Sequence, residues 1–340
     1  MPRILVTGGA GYIGSHTVHQ LRTQGFDTIV VDDLSKGHAA SVPAEALHVG
    51  SIFDRSQLIE ILRGERIDAV VHFAAFIAVG ESTREPQRYF HNNVSGSLAL
   101  LSAMSEAGVN KLVFSSTAAV YGNIDVSPIP EDTRYDPANP YGETKVMVER
   151  VLHWLDQCAG LRSVRLRYFN ACGANPAAGL GERHDPETHL IPLLFRAILT
   201  GKPITLFGDD YPTPDGTCIR DYIHVDDLAN AHIAALKHLL DGGSSDVFNV
   251  GTGEGLSVKE VLAAVERVTG RKVPHVIGPR REGDPARLVA DSTKLRRELS
   301  WQPVRSTLDD IIRDAWTFET EQPPPEGGGV DGRLKVAGRG

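Results

Sequence analysis

The chain has 340 residues, 41% hydrophobic and 23% charged, an ordinary globular composition with room for one large domain and a smaller one. A formal net charge of −8 excludes the broad basic face that nucleic acid requires, leaving at most a local pocket for one diphosphate, and no run reaches the roughly 18–20 apolar residues of a membrane span. Cys158, Cys172 and Cys218 are odd in number, widely spaced and lack a Cys-x-x-Cys pair, so neither a disulfide framework nor a cysteine zinc site is suggested, and they read as reduced core or pocket-edge thiols.

Met1-Pro-Arg-Ile-Leu-Val-Thr7 opens directly on a strand-like run with no leader pattern, so a cytoplasmic location is expected. Short β-branched runs then recur at Ile4–Val6, Thr28–Val31, Ala69–Val71, Lys111–Phe114 and Ser163–Leu166. Between them, 11–25, 54–64, 84–107 and 141–159 have helical spacing. This alternation predicts an α/β fold with a parallel sheet. Because the strands are apolar almost throughout, both sheet faces should be covered by helices, as in a Rossmann-like doubly wound domain.

After about residue 170 Gly and Pro become frequent, and 171–188 and 207–220 read as loops. Helical spacing returns at 226–240 and 257–269. The expected organisation is a dinucleotide-binding domain over 1–170, rejoined by about 221–250, interleaved with a smaller α/β substrate domain over 171–320. Residues 322–340, with three consecutive prolines and three consecutive glycines, read as a disordered tail.

Directly after the first strand, Gly8-Gly-Ala-Gly-Tyr-Ile-Gly14 carries glycines at 8, 11 and 14 and leads into a helix. Such a turn lets the backbone approach a pyrophosphate and points a helix N-terminus at it. Asp32 and Asp33 close the second strand about 20 residues later, where a carboxylate accepts from the adenosine ribose and repels a 2′-phosphate; NAD is therefore expected over NADP.

Tyr141-Gly-Glu-Thr-Lys145 places a phenol and an ammonium four residues apart, on one helix face. The nearby charge of Lys145, helped by a positively charged nicotinamide ring, is expected to depress the Tyr141 pKa and make the phenol a general base. Ser115, Ser116 and Thr117 follow the strand at Lys111–Phe114, at the edge where ligands collect in open α/β sheets. One of these hydroxyls can hold or relay the proton.

Together these residues resemble the extended short-chain dehydrogenase/reductase family and, within it, the UDP-glucose (UDP-galactose) 4-epimerase group. The likeness spans about residues 3–320 and includes Val79-Gly-Glu-Ser82, Tyr168-Phe-Asn170, Arg220-Asp-Tyr-Ile-His-Val225 and Arg280-Arg-Glu-Gly-Asp284. It implies NAD-dependent inversion of a UDP-sugar at carbon 4, with Thr117, Tyr141 and Lys145 catalytic. It extends the NAD contacts beyond the glycines and acids to Tyr12, Ile13, Ser51, Ile52, Phe73, Ala74, Ala75, Asn92, Ser115 and Tyr168. For the UDP-sugar it implies Asn170, His189, Leu190, Phe207, Arg220, Arg281, Asp284 and Leu288, beside Thr117 and Tyr141. A homodimer through the helices near 84–107 and 141–159 is also implied. His189 and His224 read equally as loop or helix-cap histidines, and no spacing suggests a metal site.

Three positions depart from the family pattern. Ile77 replaces a common lysine near the cofactor, Ser51 replaces an aspartate at the adenine, and Leu288 replaces an aromatic that limits the sugar pocket. The last implies room for N-acetylated sugars. Nucleotide-sugar 4,6-dehydration is the nearest alternative, but it uses an Asp-Glu pair after the catalytic Thr, where Ala118 and Ala119 stand. Inversion of a UDP-pentose or UDP-uronate remains open by motif. A non-catalytic NAD-sensing protein is the alternative of another class, and it conflicts with retention of Thr117, Tyr141 and Lys145.

Overall fold

The computed structural model describes residues 1–281 and 284–321; the predicted tail at 322–340 lies outside them. In chain order the strands are β1 (Arg3–Thr7), β2 (Asp27–Asp32), β3 (Leu47–Val49), β4 (Ala69–His72), β5 (Lys111–Thr117), β6 (Arg162–Tyr168) and β7 (Asn170–Cys172). They continue as β8 (Ile204–Phe207), β9 (Ile219–His224), β10 (Asp246–Val250), β11 (Gly255–Ser257), β12 (His275–Gly278) and β13 (Arg287–Leu288).

Seven strands form one parallel sheet in the order β10-β6-β5-β4-β1-β2-β3. The order reverses between β1 and β4, which opens a crevice at the carboxyl ends of the strands. The continuous apolar runs are explained by their two faces. Ile4, Val6, Val30, Val71 and Val113 pack on one side with the helices Tyr12–Thr23 and Val225–Leu240. Leu5, Val31, Val70, Leu112 and Phe114 pack on the other with Arg55–Gly64, Gly96–Ala107 and Pro140–Ala159.

The remaining strands build a smaller region. β9 is flanked by antiparallel β11 and parallel β13, and also pairs with β7; β8 pairs with β12. The helices Leu190–Thr200, Val258–Thr269 and Leu308–Glu321 bury Leu194, Val261 and Ile311 in a third cluster. Among the described residues no helix is long and apolar enough to cross a membrane.

Several expectations need adjustment. The predicted helix 84–107 is Pro86–Tyr89, a π-helical turn at Phe90–Ser95, and Gly96–Ala107. The loops 171–188 and 207–220 contain most of β7 and the start of β9. The short strand β3 and strand β10 are additions to the predicted elements, β10 falling within the expected return at about 221–250. Cys172 and Cys218 are buried, but Cys158 is exposed on its helix and is not a core thiol.

Candidate active site

The crevice is built from the carboxyl ends of β1, β2, β4, β5 and β6. At the end of β1, Gly8 has φ +72°, and a Cβ there would lie 2.5 Å from the Ala74 backbone nitrogen. Only glycine fits between the departing ends of β1 and β4. Gly14 is forced as well, since its Cβ would sit 2.2 Å from the Gly8 carbonyl. Gly11 is different: the nearest heavy atom to its Cβ would be 3.4 Å away, at the Gly8 oxygen. As the cap of Tyr12–Thr23 it contributes no side chain, so no side chain caps the first amides of the helix, an arrangement that suits an anionic diphosphate.

Asp32 is buried at the end of β2, and its two oxygens accept from the Ala10 and Leu34 amides at 2.9 Å each. Burial raises its pKa, and those two bonds oppose the rise. Asp33 lies in the open, accepting from the Ser35 amide at 2.9 Å. Of the pair, Asp32 shapes the glycine turn itself. Carboxylate oxygens keep lone pairs for a ribose.

Phe73 and Ala74 follow β4, their amides donating to the Thr7 carbonyl at 2.8 and 3.1 Å. Tyr12 reaches across the crevice and donates from its hydroxyl to the Gly173 carbonyl at 2.6 Å. Ile52 is buried, and Ser51 accepts from the Phe53 amide. Asn92 donates to Asn93 at 3.0 Å. Asn93, not anticipated, does more: its side chain bonds the Phe76 amide and carbonyl and donates to the Thr144 hydroxyl at 3.1 Å. It ties the segment after β4 to the helix that carries Tyr141. The signal available in the sequence is the run Asn92-Asn93-Val94, and nothing in it distinguishes the two asparagines.

Helix Pro140–Ala159 starts at Asn139, whose side chain accepts from the Gly142 amide at 2.9 Å, with Pro140 at the first helical position. A Cβ at Gly142 would lie 2.6 Å from the Ala119 carbonyl. Glycine thus allows the first turn to approach the Ala118–Val120 turn that follows Thr117. Tyr141 is consequently buried beside Thr117, whose hydroxyl accepts from the Ala119 amide at 3.1 Å. One turn on, Lys145 is buried, donates to the Ser115 carbonyl at 2.8 Å, and lies 5.9 Å from the Tyr141 ring centre. Ser115 and Tyr168 share a short hydrogen bond on the same side.

The electrostatics separate what Lys145 does alone from what a cofactor charge would add. Burial raises the Tyr141 pKa above the ordinary phenol value, with hydrogen bonding to Thr117 the opposing influence. Burial lowers Lys145 to about 7, against the pull of Glu149. The ammonium therefore does not by itself make a phenolate: the same dry surroundings penalise both charges. His72, between Thr7 and Ser97, is held neutral, since burial and then Lys145 push it down to about 3.

The residues expected at the UDP-sugar divide into groups. Arg220 and Asp284 form an ion pair. The Arg281 guanidinium lies over the Phe207 ring, 4.2 Å from its centre. Asn170 begins β7 and pairs with Tyr222 of β9. Leu288 is opposite Arg220 in register and packs with Ala118, Val120 and Val146, linking this region to the Tyr141 helix. Leu190 packs into the core of the smaller region. His189 stands at the N-cap position of Leu190–Thr200 without a side-chain bond to the helix, and its ring is committed to Glu182 at 2.6 Å and Glu187 at 3.0 Å. His224 caps a helix, accepting from the Asp226 amide.

A dinucleotide-binding α/β protein of Rossmann type, with a tyrosine–lysine pair set beside its glycine turn, is thus defined by fold and geometry. Residues 4–251 match the NAD dependent epimerase/dehydratase family, and the chain belongs to that family. It is 49% identical over 323 residues to a UDP-glucose 4-epimerase of Lactobacillus helveticus, covering 94% of this chain and 98% of the relative. It superposes on the UDP-glucose 4-epimerase of Brucella ovis in complex with NAD with a TM-score of 0.91 at 45% identity, covering 93% and 98% of the two chains. A UDP-glucose 4-epimerase of Stenotrophomonas maltophila with bound NAD and formylated UDP-arabinopyranose gives 0.91 at 43%, covering 94% and 98%.

Proposed function

We propose that the chain interconverts UDP-galactose and UDP-glucose through a 4-keto sugar, retaining NAD between turnovers. The observation that carries this is the convergence of Thr117, Tyr141 and Lys145 at the carboxyl edge of β5, beside a glycine turn that leads into a helix N-terminus without a side-chain cap. Relatives 43–49% identical over nearly the whole chain bear the same activity.

The turn Gly8–Gly14, with Tyr12 and Ile13, would hold the diphosphate of NAD. Asp32 and Asp33 would hold its ribose, with Ser51 and Ile52 at the adenine. Phe73, Ala74, Ala75, Asn92, Ser115 and Tyr168 would line the rest. When bound, NAD supplies a reversible hydride acceptor at sugar carbon 4 and, oxidised, a positive charge beside the phenol. Tyr141, assisted by Thr117, would take the proton of the 4-hydroxyl and return it to the same oxygen after the 4-keto sugar has turned its other face toward the cofactor, which is what inverts carbon 4. Lys145 orients the cofactor ribose and favours the phenolate when protonated. Arg220 and Arg281 would meet the diphosphate of the substrate and Asp284 its ribose, with Asn170, His189, Leu190, Phe207 and Leu288 lining the nucleotide and sugar.

The larger sheet with its return through β10 would form the NAD-binding domain, and 171–320 the interleaved substrate domain. A homodimer is proposed through the helices near 84–107 and 141–159, supported by exposed Leu98, Met147 and Trp154; sedimentation tests it. A cytoplasmic setting agrees with three free thiols. The direct test of activity is to supply UDP-galactose and assay UDP-glucose. Conversion is expected, and its absence in NAD-loaded protein would overturn the assignment.

A further inference from the structure

Between the smaller region's first strands and the helix Leu190–Thr200, the chain runs Glu182-Arg-His-Asp-Pro-Glu-Thr-His189. Four of its side chains, Glu182, His184, Glu187 and His189, converge. The His189 and His184 Nδ1 atoms lie 2.6 and 3.0 Å from the same Glu182 oxygen, and 3.0 and 3.9 Å from the oxygens of Glu187. One ligand atom from each of the four lies within 4.8 Å of all the others. The side chains of Glu182 and Glu187 are only 7% and 12% exposed. Among the described residues, their salt bridges come from these two histidines and not from lysine or arginine. Arg183, the basic residue between them in sequence, instead lies over the Phe318 ring.

Two imidazole nitrogens and two carboxylates facing a common centre need either protons or a cation between them. The Glu187 oxygen nearest His189 is taken by the Thr188 and His189 amides, at 2.6 and 2.7 Å, which leaves its second oxygen for the centre. The segment is also pre-ordered from outside, since Lys36 donates to the Asp185 carbonyl at 3.0 Å and His38 lies 3.1 Å from that of Arg183. Mixed nitrogen and oxygen ligands of this kind suit zinc and similar divalent ions.

We propose that Glu182, His184, Glu187 and His189 bind one divalent transition-metal ion of the zinc class, which braces this segment between the glycine-turn side of the crevice and the helix Leu190–Thr200. The geometry was not legible as a metal motif because Glu-x-His-x-x-Glu-x-His mixes two ligand types in a loop.

Chelator-treated full-length protein, titrated with zinc against a chromophoric competitor, should bind one ion per chain and melt at a higher temperature. The Glu182→Gln/His184→Ala variant should lose roughly a hundred-fold in affinity or more, since even indirect disruption of a metal site costs 10–100-fold. Equal binding by variant and wild type, or no tight binding by wild type, would overturn the site. If the double variant does not fold, cobalt absorption of the wild type decides: strong visible bands of four-coordinate ions are expected, and a weak six-coordinate spectrum contradicts the proposal. Metal content is measured without turnover, so this outcome and that of the epimerase assay are independent.

Discussion

The two sides of the crevice are held in place by different means. On the sheet side, Tyr141, Thr117 and Lys145 are buried and fixed through backbone contacts: the Asn139 cap, the Gly142–Ala119 approach and the Lys145–Ser115 bond. On the smaller side, Arg220 is paired with Asp284 and Arg281 stacks on Phe207, side chain against side chain. The sheet side can therefore set reacting groups to a fraction of an ångström, whereas the smaller side must exchange its own pairings for those of a ligand. The difference matches the two tasks proposed, chemistry on one side and a nucleotide grip on the other.

The sharpest way to break this comparison is Tyr141→Phe. It should lower kcat by about a thousand-fold, within the usual range for loss of a general base, while NAD and UDP affinities measured by calorimetry stay near wild type. A comparable rate would remove Tyr141 from its role.

Next in size is the pH dependence of Lys145. Its folded pKa of about 7 lies below the ordinary lysine value of 10.5. Between those values the unfolded chain binds the extra proton, so stability should rise with pH across that window. Lys145→Met removes the effect. The wild type should therefore gain on the variant by up to about 1.4 kcal/mol per pH unit above pH 7, read from denaturant melts. A pH-independent difference would show that Lys145 keeps its proton in the fold.

Asp284→Asn should act on the grip alone, changing KM for the UDP-sugar by about ten-fold with kcat little altered. Gly142→Ala crosses the comparison: its methyl would force the helix start away from Ala119. A cost of about 1–3 kcal/mol in stability is expected, together with a lower kcat at similar KM. Smallest is Leu288→Tyr, which should reduce turnover of UDP-N-acetylgalactosamine several-fold more than that of UDP-galactose, the scale of a steric change in one pocket.

The sheet side was also the more legible in sequence. Gly8–Gly14, Asp32 and Tyr141-x-x-x-Lys145 depend on spacing along one strand or one helix, and local periodicity reports such placements. Asn93 and Gly142 escaped notice because their work lies in partners 17 and 23 residues away, Phe76 and Ala119. The π turn at Phe90–Ser95 broke a predicted helix because hydrophobic spacing does not register one extra residue per turn. For a related cause the sequence overstates what Lys145 does alone: it shows that Lys145 is near Tyr141, but not that both groups are dry. On the smaller side, β7, β11 and β13 have two or three residues each, too short for any period to show.

The central claim is that Tyr141 and Thr117 move only the hydroxyl proton, while the hydrogen on carbon 4 never meets solvent. Conversion of UDP-galactose deuterated at carbon 4, followed by NMR in ordinary water, tests it most directly. Complete retention of deuterium at carbon 4 of the UDP-glucose formed is predicted; washout into solvent would contradict it.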